Sequence, residues 1–221
     1  MGKLKKIKTP LHNDPLLAYE TGVHIGDGTL GHYKNKHDYR IAYYGNLLTD
    51  CEFFAKILPV IIYKLYGLKP SIIKRPDRTS IELSIRSKML FEFKRDLGLP
   101  IGDKTLMLNL PKKIISVGED SIRNIIAGLF DTDGCFKVTK QSGKPYPKIT
   151  IANKSSILAD VKYLLQEREI GCNLCKDKQT GVNKLDINGK KNTDLFFKII
   201  PSRNIKHLNR YKNWKLNGPL A

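Results

Sequence analysis

Two carboxylates stand at matching places in this chain. Asp27 lies near the end of Glu20-Thr-Gly-Val-His-Ile-Gly-Asp-Gly28, and Asp133 near the end of Ile126-Ala-Gly-Leu-Phe-Asp-Thr-Asp-Gly134. Gly22, Asp27 and Gly28 align with Gly128, Asp133 and Gly134 at a single offset of 106 positions, close to half of the 221 residues. Each segment reads as a helix carrying small residues on one face, Gly22 and Gly26 in the first and Gly128 and Thr132 in the second. Such stripes let two helix backbones approach closely. Gly28 and Gly134 are expected to stop the helices in the left-handed C′ conformation. A carboxylate in a last helical turn sits at the negative end of the macrodipole, and two brought together repel. Bound divalent metal would relieve that conflict, so the pattern points to a metal-dependent centre. A plain Asp-Gly turn explains one copy but not the repeated helix before each. A calcium loop fails, because Leu129 stands where its first acidic ligand belongs and Lys140 where its closing Glu belongs.

The elements that must position these carboxylates repeat as well. After Gly28 come a strand-like stretch to Lys34, a β-rich stretch from Tyr39 to Tyr44 and an amphipathic helix over Thr49 to Tyr66. A hairpin follows, from Ser71 to Arg75 and from Ser80 to Arg86, then a helix over Lys88 to Leu97. After Gly134 the same order recurs: Cys135 to Thr139, Lys148 to Ile151, a helix from Ser155 to about Arg168, strands Asn173 to Asp177 and Lys184 to Asn188, and a helix over Asn192 to Ile200. The chain is therefore read as α+β, with two αββαββα units over residues 11–100 and 119–200. A connector covers 101–118 and a basic C-terminal segment 201–221. Alternation puts Ile41, Tyr43, Ile81, Leu83, Ile85, Phe136, Val138, Ile149 and Ile151 inward. It turns Arg40, Tyr44, Glu82, Ser84, Arg86, Lys137, Thr139, Lys148 and Thr150 outward.

Thirty-nine Lys and Arg against 21 Asp and Glu give a net charge of +18, with 41% apolar residues. A globular core is expected, and so is a polyanionic partner, nucleic acid before an acidic membrane surface. The best apolar run, Ile57 to Leu68, is too short to span a bilayer, and no secretory signal follows the basic N-terminus. Cys172 and Cys175 form a lone CxxC without a second ligand pair and read as structural, and together with Cys51 and Cys135 they suggest reduced thiols in an intracellular compartment. An antiparallel sheet with helices on one side and a Lys/Arg/Thr/Tyr surface on the other suits a DNA major groove.

Taken residue by residue, Ile126 to Gly134 resembles the LAGLIDADG signature, and Glu20 to Gly28 resembles a more divergent first copy. With matched flanks over nearly the whole chain, the sequence resembles a two-motif, single-chain LAGLIDADG homing endonuclease of the free-standing intron-encoded type known from archaea. The resemblance implies two pseudo-symmetric units, each with a saddle-like four-stranded sheet, joined through the packed motif helices. It implies cleavage of both strands of a long, asymmetric DNA duplex by a monomer, one cut per strand across the minor groove, leaving 3′ overhangs. Asp27 and Asp133, with the carbonyls of Gly26 and Thr132, would hold Mg²⁺ against the scissile phosphates, Mn²⁺ being able to substitute and Ca²⁺ binding without supporting cleavage. Metal there activates the attacking water and stabilises the phosphorane and the leaving oxygen.

In such enzymes a basic residue closes the second strand of each unit. Lys154 stands there in the second unit, with Asn153 to order water. Asn46 is opposite Lys154 and cannot supply charge, so either the strands are cut unequally or another residue, such as Lys104 of the connector, reaches in. DNA contacts are expected from Tyr33, Lys34, Arg40, Tyr44, Arg75, Arg78, Glu82 and Arg86 in the first unit. Lys137, Thr139, Lys148, Thr150, Lys176, Lys178 and Lys184 are their counterparts in the second, with Arg210 and Lys212 beyond. His24, on the motif helix, reads as a packing residue. The alternative functions on this scaffold are an RNA maturase acting on its own intron RNA and a non-cleaving regulator. An intein is disfavoured by the start at Met1 and the lack of a His-Asn junction. A cytoplasmic prokaryotic or archaeal setting is expected, or an organellar one.

Overall fold

The computed structural model describes residues 6–33 and 37–217, folded as two consecutive αββαββα units. The first comprises α1 (Pro15–Asp27), β1 (Gly28–Tyr33), β2 (Asp38–Asn46), α2 (Leu58–Tyr66), β3 (Ser71–Arg75), β4 (Ser80–Arg86) and α3 (Lys88–Asp96). A connector with the short α4 (Lys112–Ile115) leads to the second: α5 (Glu119–Asp133), β5 (Gly134–Gln141), β6 (Lys144–Asn153), α6 (Leu158–Gln166), β7 (Asn173–Lys176), β8 (Asn183–Asn188) and α7 (Gly189–Ile199). A further helix, α8 (Ile205–Asn217), follows. Each unit builds one antiparallel sheet, in the orders β1-β2-β4-β3 and β5-β6-β8-β7. No helix among the described residues is long and apolar enough to cross a membrane.

Sequence chemistry sets the local boundaries. Asp14 caps α1 by accepting a hydrogen bond from the Leu16 amide at 2.8 Å, and Pro15 fills the first turn, where no amide is needed. The expected helix from Thr49 opens instead with a π turn, Phe53–Ile57, before α2. Pro59 cannot donate to the preceding turn, and the Leu58 amide reaches back to the Phe53 carbonyl, widening the helix. In the second unit α6 starts later than expected, because Asn153 and Ser155 form a turn first.

The inner sheet faces bury Ile41, Tyr43, Ile81 and Leu83 in one unit and Phe136, Ile149, Ile151 and Leu185 in the other, all within one apolar cluster. Val138, expected inside, is 41% exposed in a cleft between β5 and α8. The first unit also buries an ion pair. Lys94 Nζ lies 2.7 Å from both oxygens of Glu20, which also accepts from the hydroxyls of Tyr43 and Tyr66. Both charged side chains are fully enclosed, and the matching position in the second unit is Ile126.

The two units meet along α1 and α5. A Cβ at Gly22 would overlap the Ile125 carbonyl, one at Gly128 the Tyr19 carbonyl, and one at Gly26 the Thr132 hydroxyl. The small-residue stripe is therefore the helix-helix contact itself, with backbone against backbone. Gly28 and Gly134, in contrast, do not adopt the left-handed conformation expected of them. Both are extended (φ −86° and −94°) and are the first residues of strands. Glycine is needed there because each chain turns from helix directly into strand, where a Cβ would strike His24 or Phe130.

Candidate active site at the paired helix ends

Because α1 and α5 pack so closely, Asp27 and Asp133 converge at their C-terminal ends. Burial, and after it the neighbouring Asp133, push the Asp27 carboxyl up to about 7 against the opposing charge of Lys104. Asp133 is pushed up to about 6 by burial, against hydrogen bonding from Asn153 and the charge of Lys104. These are carboxylates held where negative charge is costly, chiefly because they are buried, with repulsion from Asp133 adding to the cost at Asp27.

Lys104 comes from the connector. That segment pairs Ile101 in parallel with Leu30 of β1, and the Gly102 amide donates to the Leu30 carbonyl at 2.9 Å. The Lys104 ammonium then donates to the Gly26 carbonyl. Burial lowers its proton affinity while Asp133 and Asp27 hold it up. A protein cation thus already sits on one of the carbonyls expected to bind metal. Two carboxylates and a backbone oxygen around a cation position form a donor set that fits a hard divalent cation, with room for water and phosphate oxygens. Among the described residues no cluster of three or more His, Cys, Asp or Glu side chains does so.

An open cleft of about 390 Å³ brings Gly26, Lys104, Asp133, Asn153 and Lys154 together. Asn153 is committed to position Asp133, donating from Nδ2 to Oδ2 at 2.6 Å, while its Oδ1 accepts from the Ser155 amide and hydroxyl at 2.8 and 2.6 Å. It therefore orients a carboxylate rather than standing free to order water. Lys154 is exposed at the cleft wall. The Thr132 hydroxyl bonds back to the Gly128 and Leu129 carbonyls. In the first unit Asn46 caps a turn, accepting from the amides of Leu48 and Thr49 at 2.8 and 3.2 Å. His24 is buried edge-on to Tyr43, with ring centroids 5.3 Å apart, a packing role.

The outer sheet faces carry most of the expected contact residues. Arg40, Tyr44, Arg75 and Arg86 share the outer face of the first sheet, and Lys137, Thr139, Lys148, Thr150 and Lys184 that of the second. Arg78 and Lys178 lie exposed in the hairpin turns. The Tyr33 side chain and Lys34 lie outside the described residues. Two expectations are corrected. Glu82 is on the outer face but only 2% exposed, because Arg40 and Arg75 close over it. Burial opposes its charge, yet the two guanidinium groups hold its carboxyl below the usual range. It orients those arginines instead of touching a partner. Lys176 pairs with Asn183 and so shares the face of Leu174 and Leu185, opposite to Lys184.

Sequence reasoning missed the strap between α7 and α8 and its anchor. Asp131 accepts from the Tyr19 hydroxyl (2.5 Å), the Arg203 and Asn204 amides (2.6 and 3.0 Å) and the Ser202 hydroxyl. Beyond it α8 stacks Tyr211 on Phe197 with centroids 4.0 Å apart. Arg210 and Lys212 are exposed, the former with its guanidinium 4.0 Å from Cys135 Sγ at the β5 edge. The i, i+4, i+7 spacing of His207, Tyr211 and Trp214 was the available signal for this helix.

Residues 120–201 match the family model for a LAGLIDADG-like domain. The fold is similar to that of variants of the homing endonuclease I-DmoI, at 18% identity and a TM-score of 0.63, covering 89% of this chain and 97% of that one. I-DmoI in complex with DNA and Ca matches at 21% identity and a TM-score of 0.61, covering 86% and 91%. The I-LtrWI LAGLIDADG homing endonuclease bound to its target DNA matches at 12% identity and a TM-score of 0.62, covering 92% and 89%. The second unit is a LAGLIDADG-like domain, and the chain as a whole has the two-unit fold of the LAGLIDADG homing endonucleases.

Proposed function

We propose that this protein is a site-specific, double-stranded DNA endonuclease dependent on a divalent metal and acting in intron homing. The observation that carries the reading is the convergence of Asp27 and Asp133, each with raised proton affinity, between two outward basic sheet faces. Two enclosed carboxylates cost stability, which mere RNA binding gives no reason to keep, so cleavage is favoured over the maturase alternative. Solved relatives of this fold are described with target DNA and with Mn or Ca.

In this reading the sheet faces place the duplex, with arginines oriented by Glu82 and lysines paired to Asp177 and Asp186 exchanging those partners for phosphate. Asp27, Asp133 and the Gly26 and Thr132 carbonyls would hold the metal, with Asn153 fixing the Asp133 carboxylate. Bound metal supplies Lewis acidity and an activated water. Lys104 and Lys154 present positive charge to the same cleft, where it can offset charge developing on the phosphate. Mg²⁺ and Mn²⁺ support cutting, Ca²⁺ supports binding only, and the product ends carry 3′ overhangs. The test is incubation with Mg²⁺ and a plasmid carrying the intronless host allele, with the intron-containing allele as control. Cutting of the intronless allele alone is expected; cutting of both alleles or of neither contradicts homing.

A further inference from the structure

The two units differ at one matched place. In the first, His32 of β1 pairs with Tyr39 of β2, their rings stacked with centroids 4.5 Å apart, and Phe91 of α3 lies 5.8 Å from the His32 ring. The connector closes the same edge, where Ile101 bridges Leu30. In the second unit Val138 pairs with Pro147 at the matched positions. Thr193 of α7 takes the place of Phe91, at the spacing that separates Leu83 from Leu185. Three aromatic side chains are thus replaced by smaller ones, and among the described residues no such bridge closes the β5 edge.

What remains is a cleft of about 430 Å³, lined from β5 by Phe136 and Val138 and from α8 by Trp214. Val138 is exposed there although its place in the alternation is inward. Uncovered aliphatic surface beside an indole favours a flat apolar group, the kind that the first unit supplies from its own chain. Lys137, Lys140 and Arg210 line the same cleft, and among the described residues no Asp or Glu does. The occupant is therefore a ring that carries negative charge. A base with its phosphate has both parts, whereas a second copy of a chain with a net charge of +18 is repelled. Lys137 is also an outer-face residue, opposite Lys148, and Arg210 reaches Cys135 at the β5 edge. The cleft is thus continuous with the face assigned above to the duplex. A paired base is already stacked, so only an unpaired one is free to enter.

Resting on the DNA-binding reading above, we propose that the cleft between β5 and α8 is a second nucleic-acid site, which takes one unpaired nucleotide of a DNA strand. Its base packs against Val138 and Trp214, and its phosphate is held by Lys140 and Arg210. The sheet faces hold paired strands, and the cleft holds a nucleotide that has left the stack at the flank of the second half-site.

Trp214 is the only tryptophan in the chain, so its emission reports the cleft directly. The test titrates the full chain, in EDTA, with an octamer of thymidylate, an abasic octamer of the same backbone, and a blunt duplex spanning the insertion junction. The thymidylate octamer is expected to quench Trp214 saturably and to bind at least tenfold more tightly than the abasic one. Val138→Phe puts a ring of the protein's own into the cleft; it is expected to weaken octamer binding at least tenfold and to leave duplex binding within twofold. Arg210→Gln is expected to take about 0.7 from the log-log salt slope of octamer binding. Equal binding of the two octamers, or octamer binding unchanged in both variants, shows that the base stays outside and overturns the proposal. Tighter binding of an acidic peptide of alternating Glu and Tyr assigns the cleft to a protein partner and overturns it as well. If wild type binds the duplex while the thymidylate octamer leaves Trp214 unquenched, the cleft assignment alone falls. If wild type binds neither, the DNA-binding reading falls and takes the assignment with it.

Discussion

Replacing Asp27 with Asn should stabilise the protein while removing its activity. The Asp27 carboxyl is pushed from 3.8 to about 7, mainly by burial and then by Asp133. The folded state therefore binds this proton more tightly than the unfolded chain, and stability is lost as pH rises from about 4 to about 7. At about 1.36 kcal/mol per pKa unit, the full shift corresponds to a ceiling of about 4 kcal/mol. The carboxyl keeps some contact with solvent, so about 2 kcal/mol is the expected gain. Asn keeps the shape and removes the charge. Urea denaturation in metal-free buffer should show the two proteins equally stable at pH 4 and the variant ahead at pH 8, with the gap opening between. Adding Mg²⁺ at pH 8 should then stabilise wild type more than the variant, through binding to the folded state. Equal stability at pH 8, or a gap of the same size at pH 4, would refute the claim that Asp27 is held in a conflicted environment.

Other substitutions probe the frame. Gly128→Ala drives a methyl into the Tyr19 carbonyl and should cost about 3 kcal/mol, lowering the melting temperature by roughly 6–12 °C; an unchanged melting curve would mean the helices are not in backbone contact. Lys94→Met leaves Glu20 buried without its cation and should cost about 3–5 kcal/mol in chemical denaturation. Asp131→Ala removes the acceptor of the strap. Amide exchange should accelerate across residues 202–217 while the β6 and β8 amides keep their protection, and uniform acceleration would show that α8 is part of the cooperative core.

The fold was legible wherever a repeat or an alternation carried it. Two motif segments 106 positions apart located both units, and strand alternation assigned the sheet faces. Depth was not legible: the pattern puts Glu82 on the outer face but cannot tell that two arginines cover it. Nor could spacing reveal the conformation of Gly28 and Gly134, because a helix entering a strand without a loop needs glycine for room and not for a positive φ. At the site the carboxylates and the connector lysine could be named from sequence. Asp131 could not, since its role as anchor of the strap arises from contacts with residues 71 to 112 positions away. A lone Asp in a motif helix looks unremarkable until the strap docks on it.

The proposed function requires Asp27 and Asp133 to form one centre that cuts both strands of a DNA duplex. The most direct measurement compares wild type, Asp27→Asn and Asp133→Asn for binding in Ca²⁺ and for cleavage in Mg²⁺ on the same target duplex. Binding within a few-fold of wild type is expected for each variant, with cleavage reduced by at least a thousandfold and 3′ overhangs from wild type alone. Cleavage that persists in a purified Asp133→Asn protein would contradict it.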